Sequence, residues 1–179
     1  LDARRIAQAA FPLHDAQLRS PRSDEGTRAA LRVLIASRDH ITSERTAAIN
    51  ALIALLRLVD LGVDARGTLN AAQLTTIATW RARAEELAVS VARAEAVRLA
   101  KRVRRADHEL TNLTRQMTTL LAASPAAGLL NQPGIGPVTA AIAYAAWSHP
   151  GRIRSEAVFA SLAGVNPIHL KRGMDRAAE

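Results

Sequence analysis

The chain has 179 residues, of which 49% are apolar and only 3% aromatic, and its formal charge is +8 from 24 basic and 16 acidic residues. This length predicts one domain, or one domain with an extended element, whose core is packed by aliphatic side chains. The lack of cysteine excludes disulfides and thiolate metal sites and suits a reducing cytoplasm, and no apolar run reaches the roughly 18 residues of a membrane span.

The positive charge points to a class of partner. Nearly all of the basic residues are arginine, whose planar fork of donors matches phosphate, so nucleic acid is the leading candidate. An alternative explanation of the charge is a GC-rich genome, which favours arginine and alanine codons regardless of function.

The first 26 residues predict no signal peptide, because "LDARRIA" is charged where an apolar segment is needed. The missing initial methionine suggests an internal piece of a longer protein. Residues 11–26 contain Pro12, Pro21 and Gly26 and are typical of a loop.

Residues 27–61 lack proline, and a heptad pattern predicts one long helix. The seam is apolar except for Arg38 and Arg45, which we expect to set register or partner choice, as polar seam residues do. The seam positions are 31, 34, 38, 41, 45, 48, 52, 55 and 59.

A second long helix is predicted for residues 79–122, after a connector at 60–70. Its seam is Leu99, Val103, Ala106, Leu110, Leu113, Met117 and Leu120. Helices of this length pack as an antiparallel pair or against another subunit. Because strand patterns are absent, the predicted fold class is all-α, with two long coiled-coil-type helices and a small helical domain.

After a third connector at 123–128, the stretch "LLNQPGIGPVTAAIAYAAW" places a glycine-rich turn before a helix. Glycines 134 and 136 permit positive φ, Ile135 can anchor the turn in the core, and Pro137 suits a first helical position. This layout predicts a helix-hairpin-helix-like element, in which the N–H groups of Gly134, Ile135, Gly136 and Val138 approach a phosphate. A plain structural turn remains the alternative.

Residues 149–167, "HPGRIRSEAVFASLAGVNP", supply charge and a further helix. Arg152 and Arg154 follow a Pro-Gly turn and are expected near the hairpin, where they would clasp a nucleic-acid backbone. Ser155 is the predicted N-cap of the helix, which ends at Gly164.

These residues resemble a known family. The segment 129–167 looks like the C-terminal domain of the DEDD transposases of bacterial insertion sequences, the one-ten group known as bridge-RNA-guided recombinases. Residues 31–56 are similar to that family's linker helix, through Arg38, Arg45-Thr46 and Asn50. "LDARRIA" resembles the end of its catalytic domain.

The resemblance implies an RNase-H-like domain with four Mg²⁺-binding carboxylates, a coiled coil for subunit pairing and a nucleophilic serine. Asp2 matches the last of the four acids, and a lone aspartate cannot hold a catalytic Mg²⁺. The family's serine loop would follow residue 168, but no serine occurs after Ser161, which lies in the predicted helix. We therefore expect no cofactor, no metal and no cleavage in this chain, whose ends are expected to be truncated.

Other chemistry is weakly indicated. The five histidines lack metal-ligand spacing, and Asp39-His40 and Asp107-His108 are interpreted as solvated helix surface. The prediction is a cytoplasmic part of a transposase that binds DNA and self-associates to a dimer or higher, without membrane contact. A guide RNA is a further candidate partner. Its expected divisions are the catalytic-domain tail at 1–26, the coiled coil at 27–122 and the partial C-terminal domain at 123–179. The alternatives are an oligomerisation scaffold without nucleic acid and an enzyme of another class.

Overall fold

The structure is a computed structural model that describes residues 2–14, 26–148, 151, 153–162 and 164–165. Among these residues there are six α-helices, one 3₁₀ helix and no strand, which confirms the all-α prediction. The α-helices are α1 (Asp2–Ala10), α2 (Gly26–Leu58), α3 (Ala71–Ala78), α4 (Leu87–Ala122), α5 (Pro137–Trp147) and α6 (Glu156–Leu162); the 3₁₀ helix is Ala127–Asn131.

The chain divides into two compact units. One is residues 25–146, which hold α2, α3, α4, the 3₁₀ helix and nearly all of α5, and the other combines residues 1–24 with 147–179. The division predicted at residue 123 rests on the family resemblance and stays a prediction. None of the helices among the described residues combines the length and apolar character needed to cross a membrane.

Helices α2 and α4 pack antiparallel within the same chain. They contain 33 and 36 residues, so each is about 50 Å long at about 1.5 Å per residue. Residues late in α2 share a core with residues early in α4 and with α3. The fully or nearly buried members from the two long helices are Ala48, Leu52, Leu56, Ala92, Ala96, Leu99, Ala100 and Val103.

Seven of the 16 seam positions predicted from heptads are buried and the other nine are half-buried, and the buried line drifts near the helix ends. Leu56 and Leu121 are buried, whereas Leu55 and Leu120, the predicted positions, are only half-buried. A straight α-helix has about 3.6 residues per turn, so a strict seven-residue repeat drifts about 20° per heptad. The burial therefore moves to the adjacent residue.

The prediction that the second long helix begins at residue 79 is wrong, because α4 begins at Leu87 and a separate short helix precedes it. Helix α3 begins with a capping box: the Gln73 N–H donates to Asn70 Oδ1 (2.8 Å), and the Asn70 N–H donates to Gln73 Oε1 (2.9 Å). Its buried Leu74 and Ile77 then join the core.

The segment between α3 and α4 is held by a buried arginine. The Arg93 guanidinium donates to Glu85 through Nε (2.7 Å) and a second nitrogen, and it lies 5.0 Å from the centre of the Trp80 ring. The Arg93 and Glu85 side chains are only 9% and 19% exposed. The local sequence would allow a helix at residues 80–86. These residues are not helical, because Trp80 and Glu85 fold back onto Arg93.

In the second unit, α6 shows the predicted ends. The Val158 N–H donates to the Ser155 hydroxyl oxygen (3.3 Å), which confirms Ser155 as the N-cap. Gly164 has φ +73°, and the Val165 N–H donates to the Ala160 carbonyl (2.9 Å), which closes the helix as a left-handed C-terminal cap.

Candidate nucleic-acid interface

The turn at residues 133–137 joins the 3₁₀ helix to α5. Gly134 has φ +81°, a conformation that side-chain-bearing residues avoid. Gly136 does not adopt a positive φ, so only Gly134 uses the conformational freedom that both glycines permit. Gly136 precedes Pro137, and the proline ring itself restricts the preceding residue to extended conformations. Pro137 is the first residue of α5, as predicted.

The backbone of the turn faces open space. Gly134 and Gly136 are exposed, and a Cβ added at either would meet no atom within 4 Å. The Ile135 N–H is used within the turn, where it donates to the Gln132 carbonyl (3.1 Å). Ile135 itself is half-buried, in keeping with an anchoring role.

Three other N–H groups of the turn remain available. Within the described part of the chain, the backbone N–H groups of Gly134, Gly136 and Val138 donate to no acceptor. The first N–H of α5 that is bonded to the turn is that of Ala140, which donates to the Gly136 carbonyl (3.0 Å). Unpaired N–H groups at a helix N-terminus suit an oxyanion, because the helix dipole adds to the hydrogen bonds.

The two arginines expected beside this turn fall in the other compact unit of the chain. Arg154 is exposed and belongs to the unit that contains residues 147–179, whereas the turn belongs to the unit 25–146. Arg152 lies outside the described residues. Their contact with the turn therefore stays a prediction.

A different arginine, which the sequence analysis missed, does contact α5. The Arg28 guanidinium, at the beginning of α2, lies 4.5 Å from the centre of the Tyr144 ring in α5. Such a contact is attractive because the face of an aromatic ring is electronegative. No spacing rule joins residues 28 and 144, so only the tertiary structure reveals the pair.

The polar seam residues have unequal surroundings. Arg45 Nε donates to Asp107 Oδ1 of α4 at 2.5 Å, so Arg45 joins two helices of one chain. Asp107 is predicted to be solvated helix surface beside His108; its side chain is 45% exposed, and it also forms this ion pair, which the sequence does not predict. Arg38 is half-buried, and its Nε has no hydrogen-bond acceptor among the described residues.

The resemblance implies Mg²⁺-binding carboxylates, and the described side chains do not form such a group. Asp2 is the first residue of α1, and in the described parts of the chain no three His, Asp or Glu side chains are grouped so that they could hold a metal ion. These described residues therefore do not supply the group of carboxylates that a Mg²⁺ site needs.

In a comparison with known protein families, the region that contains the turn matches a transposase family. Residues 126–173 match the family described as transposase IS116/IS110/IS902, over about a quarter of the chain. This match confirms the resemblance inferred from residues 129–167 and supports a role in transposition. No curated protein and no solved structure matches the chain.

Proposed function

We propose that the chain serves DNA transposition by binding DNA and associating with other subunits, and the match of residues 126–173 to the IS116/IS110/IS902 transposase family supports this proposal. The observation that carries this proposal is the exposed turn at 133–137 together with the start of α5, which lie inside the matched segment and offer the unpaired N–H groups of Gly134, Gly136 and Val138. A duplex backbone supplies the oxyanions that such a turn accepts.

The proposed contact is blind to sequence. Backbone N–H groups bind phosphate oxygens and read no base edge, so they position the duplex without selecting a site. Arg152 and Arg154 are proposed to add charge beside the turn.

We propose binding without strand cleavage for this chain. Its one residue at a family acid position is Asp2, and Ser161 lies within α6, next to Leu162, rather than in a loop. The described residues group no three acidic or histidine side chains for a metal ion, and no serine follows Ser161 in the sequence given, so this segment does not by itself supply the groups that strand cleavage in the family requires.

Association of subunits and a guide RNA enter this proposal through the resemblance. The long seams are used between α2 and α4 of one chain, so a dimer would need another surface. Leu58, Leu87 and Val91 are exposed apolar residues of these helices and are available for that purpose. Light scattering at tens of micromolar should then give a mass above 19.2 kDa.

The turn is tested by Gly136→Val in the 179-residue chain. Valine is compatible with the extended backbone before proline and meets no neighbour, so the variant should fold. Its side chain would block close approach of a phosphate, and we expect affinity for a mixed-sequence 20-base-pair duplex to fall roughly 10-fold or more, because hydrogen bonds to charged groups contribute about 1.5–3 kcal/mol. Fluorescence anisotropy measures the affinity.

The matched control is Gly67→Val, which makes the same change at another exposed glycine without a positive φ. It should bind like the parent chain. A folded Gly136→Val protein with parental affinity would show that the turn is only structural. A parent that binds no duplex at any salt concentration would favour the scaffold alternative.

A further inference from the structure

The middle of α4 has an exposed surface made only of basic residues. Between residues 98 and 105, the buried positions are Leu99, Ala100 and Val103. All five exposed positions carry a positive side chain, and together they define the α4 basic face: Arg98, Lys101, Arg102, Arg104 and Arg105.

This concentration of charge is held by the fold. The three apolar residues pack in the core shared with α2, so the remaining positions of the same two turns must point to solvent. Seven helical steps of about 1.5 Å bring the five cations within about 10 Å along the helix axis. Duplex DNA carries about one charge per 1.7 Å of its axis, so about six phosphates lie along the same length.

The carboxylates near the α4 basic face neutralise it only in part. Arg98 pairs with Glu95, Arg102 with Glu44 of α2, and Arg105 with Glu109. Hydrogen bonds from Arg98 hold the pKa of Glu95 below its ordinary value.

These three pairs are open to solvent, since the arginine side chains are 60%, 52% and 82% exposed. Exposed pairs contribute about 0–1 kcal/mol, so phosphates can compete for these arginines. Lys101 and Arg104 pair with no carboxylate among the described residues.

The chemistry of this surface favours one kind of partner. Protein interfaces have an apolar centre, and helices that lie on membranes insert apolar side chains. The α4 basic face exposes no apolar residue between positions 98 and 105. A groove of about 430 Å³ runs beside it, lined by four of its five cations together with Glu44, Ala106 and Glu109. A sugar–phosphate backbone needs only charge and donors of this kind.

We infer that the α4 basic face is a second contact surface for the backbone of duplex DNA, separate in sequence from the turn at 133–137. This inference rests on the proposed function, because it adds a contact to the same ligand. The two surfaces differ in chemistry: the turn offers backbone N–H groups, whereas α4 offers side-chain cations whose contacts release counterions.

The test compares Lys101→Gln/Arg104→Gln with Arg81→Gln/Arg83→Gln, which removes the same charge from exposed positions of the segment before α4. Each protein is titrated by fluorescence anisotropy against a mixed-sequence 20-base-pair DNA duplex and a single-stranded 20-nucleotide RNA between 50 and 300 mM salt. Circular dichroism and thermal melting check that each variant folds like the parent chain.

For Lys101→Gln/Arg104→Gln we expect the slope of log affinity against log salt to fall by about 2, and duplex affinity to fall roughly 10- to 100-fold near 0.1 M salt. The control pair should change affinity by less than about 3-fold, because neither arginine belongs to the α4 basic face and salt screens the contribution of net charge alone. This pattern would support the inference.

Three results would overturn it. If the control pair weakened duplex binding equally, the loss of affinity would be explained by net charge alone. Loss of RNA binding alone would exclude duplex DNA as the partner. Parental duplex binding by Lys101→Gln/Arg104→Gln, while Gly136→Val binds weakly, would reject the α4 surface and leave the proposed function intact. A parent chain that binds no duplex would instead reject the proposed function and, with it, this inference.

Discussion

The α2–α4 pair has an aliphatic region beside α3 and a polar region in its middle. Beside α3, leucine, alanine and valine from both helices close the interface. In α2, which is described throughout, no residue between Leu31 and Ala48 is buried, and in α4, also fully described, none is buried between Ala106 and Met117. In the polar region a groove of about 510 Å³ runs along α4, lined by Asp107, Leu110, Thr111, Thr114, Arg115 and Thr118.

The two regions contribute differently: one stabilises the helix pair, and the other fixes the alignment of its helices. Burial of aliphatic surface contributes about 25 cal/mol per Å² but is indifferent to partner, whereas an ion pair forms only in one register. Arg45 and Asp107 lie where apolar packing is sparse, so we infer that their pairing aligns the helices that the aliphatic region holds together.

The largest effect is expected from Leu52→Ala in the aliphatic region. Leu52 is 0% exposed, so the change leaves a cavity and should lower the free energy of unfolding by about 2–5 kcal/mol. Val33→Ala is the control in the same helix: Val33 is 69% exposed, and its replacement should change stability by no more than about 0.5 kcal/mol. Urea unfolding measures both, and equal losses would contradict the location of the core.

A smaller effect, dependent on pH, is expected from Glu85→Gln at the aliphatic end. Hydrogen bonds from Arg93 lower the pKa of Glu85 below its ordinary value of 4.5. The carboxylate therefore stabilises the fold above pH 4.5, and this contribution is lost as the pH falls through the lowered pKa. The parent should be more stable than the variant at pH 7, and the difference should shrink in acid.

Urea unfolding at several pH values between 7 and 3 measures that difference. Glu86→Gln is the matched control, because the neighbouring Glu86 is exposed and pairs with no cation among the described residues. A gap between parent and Glu85→Gln that stays constant with pH would refute the role of this carboxylate.

The smallest effect is expected in the polar region. A double-mutant cycle with Arg45→Gln and Asp107→Asn should give a coupling energy of no more than about 1 kcal/mol, because the pair is partly exposed. Unfolding free energies of the four proteins supply the coupling. A value near that of the Leu52→Ala loss would mean that the polar region also stabilises the pair.

Local sequence was sufficient for several features. The proline-free heptads predict two long helices, and Ser155 and Gly164 predict both ends of α6, because caps depend on a few adjacent residues. The turn before Pro137 is likewise evident from its glycines and prolines. The pattern Pro-Gly-Ile-Gly also carried the family resemblance that the match over 126–173 confirms.

Other features depended on residues far apart in the chain. Nothing between residues 79 and 86 breaks a helix by itself, and α4 begins at Leu87 because Trp80 and Glu85 fold onto Arg93. The seams could have met a second subunit, but α2 and α4 cover each other. Asp107 and Arg28 acquire their partners Arg45 and Tyr144 only in the packed unit. The periodicity of the sequence determined which residues of the long helices face the core. Only the tertiary structure decided which residues they contact, because contacts between residues 60 or more positions apart do not affect local spacing.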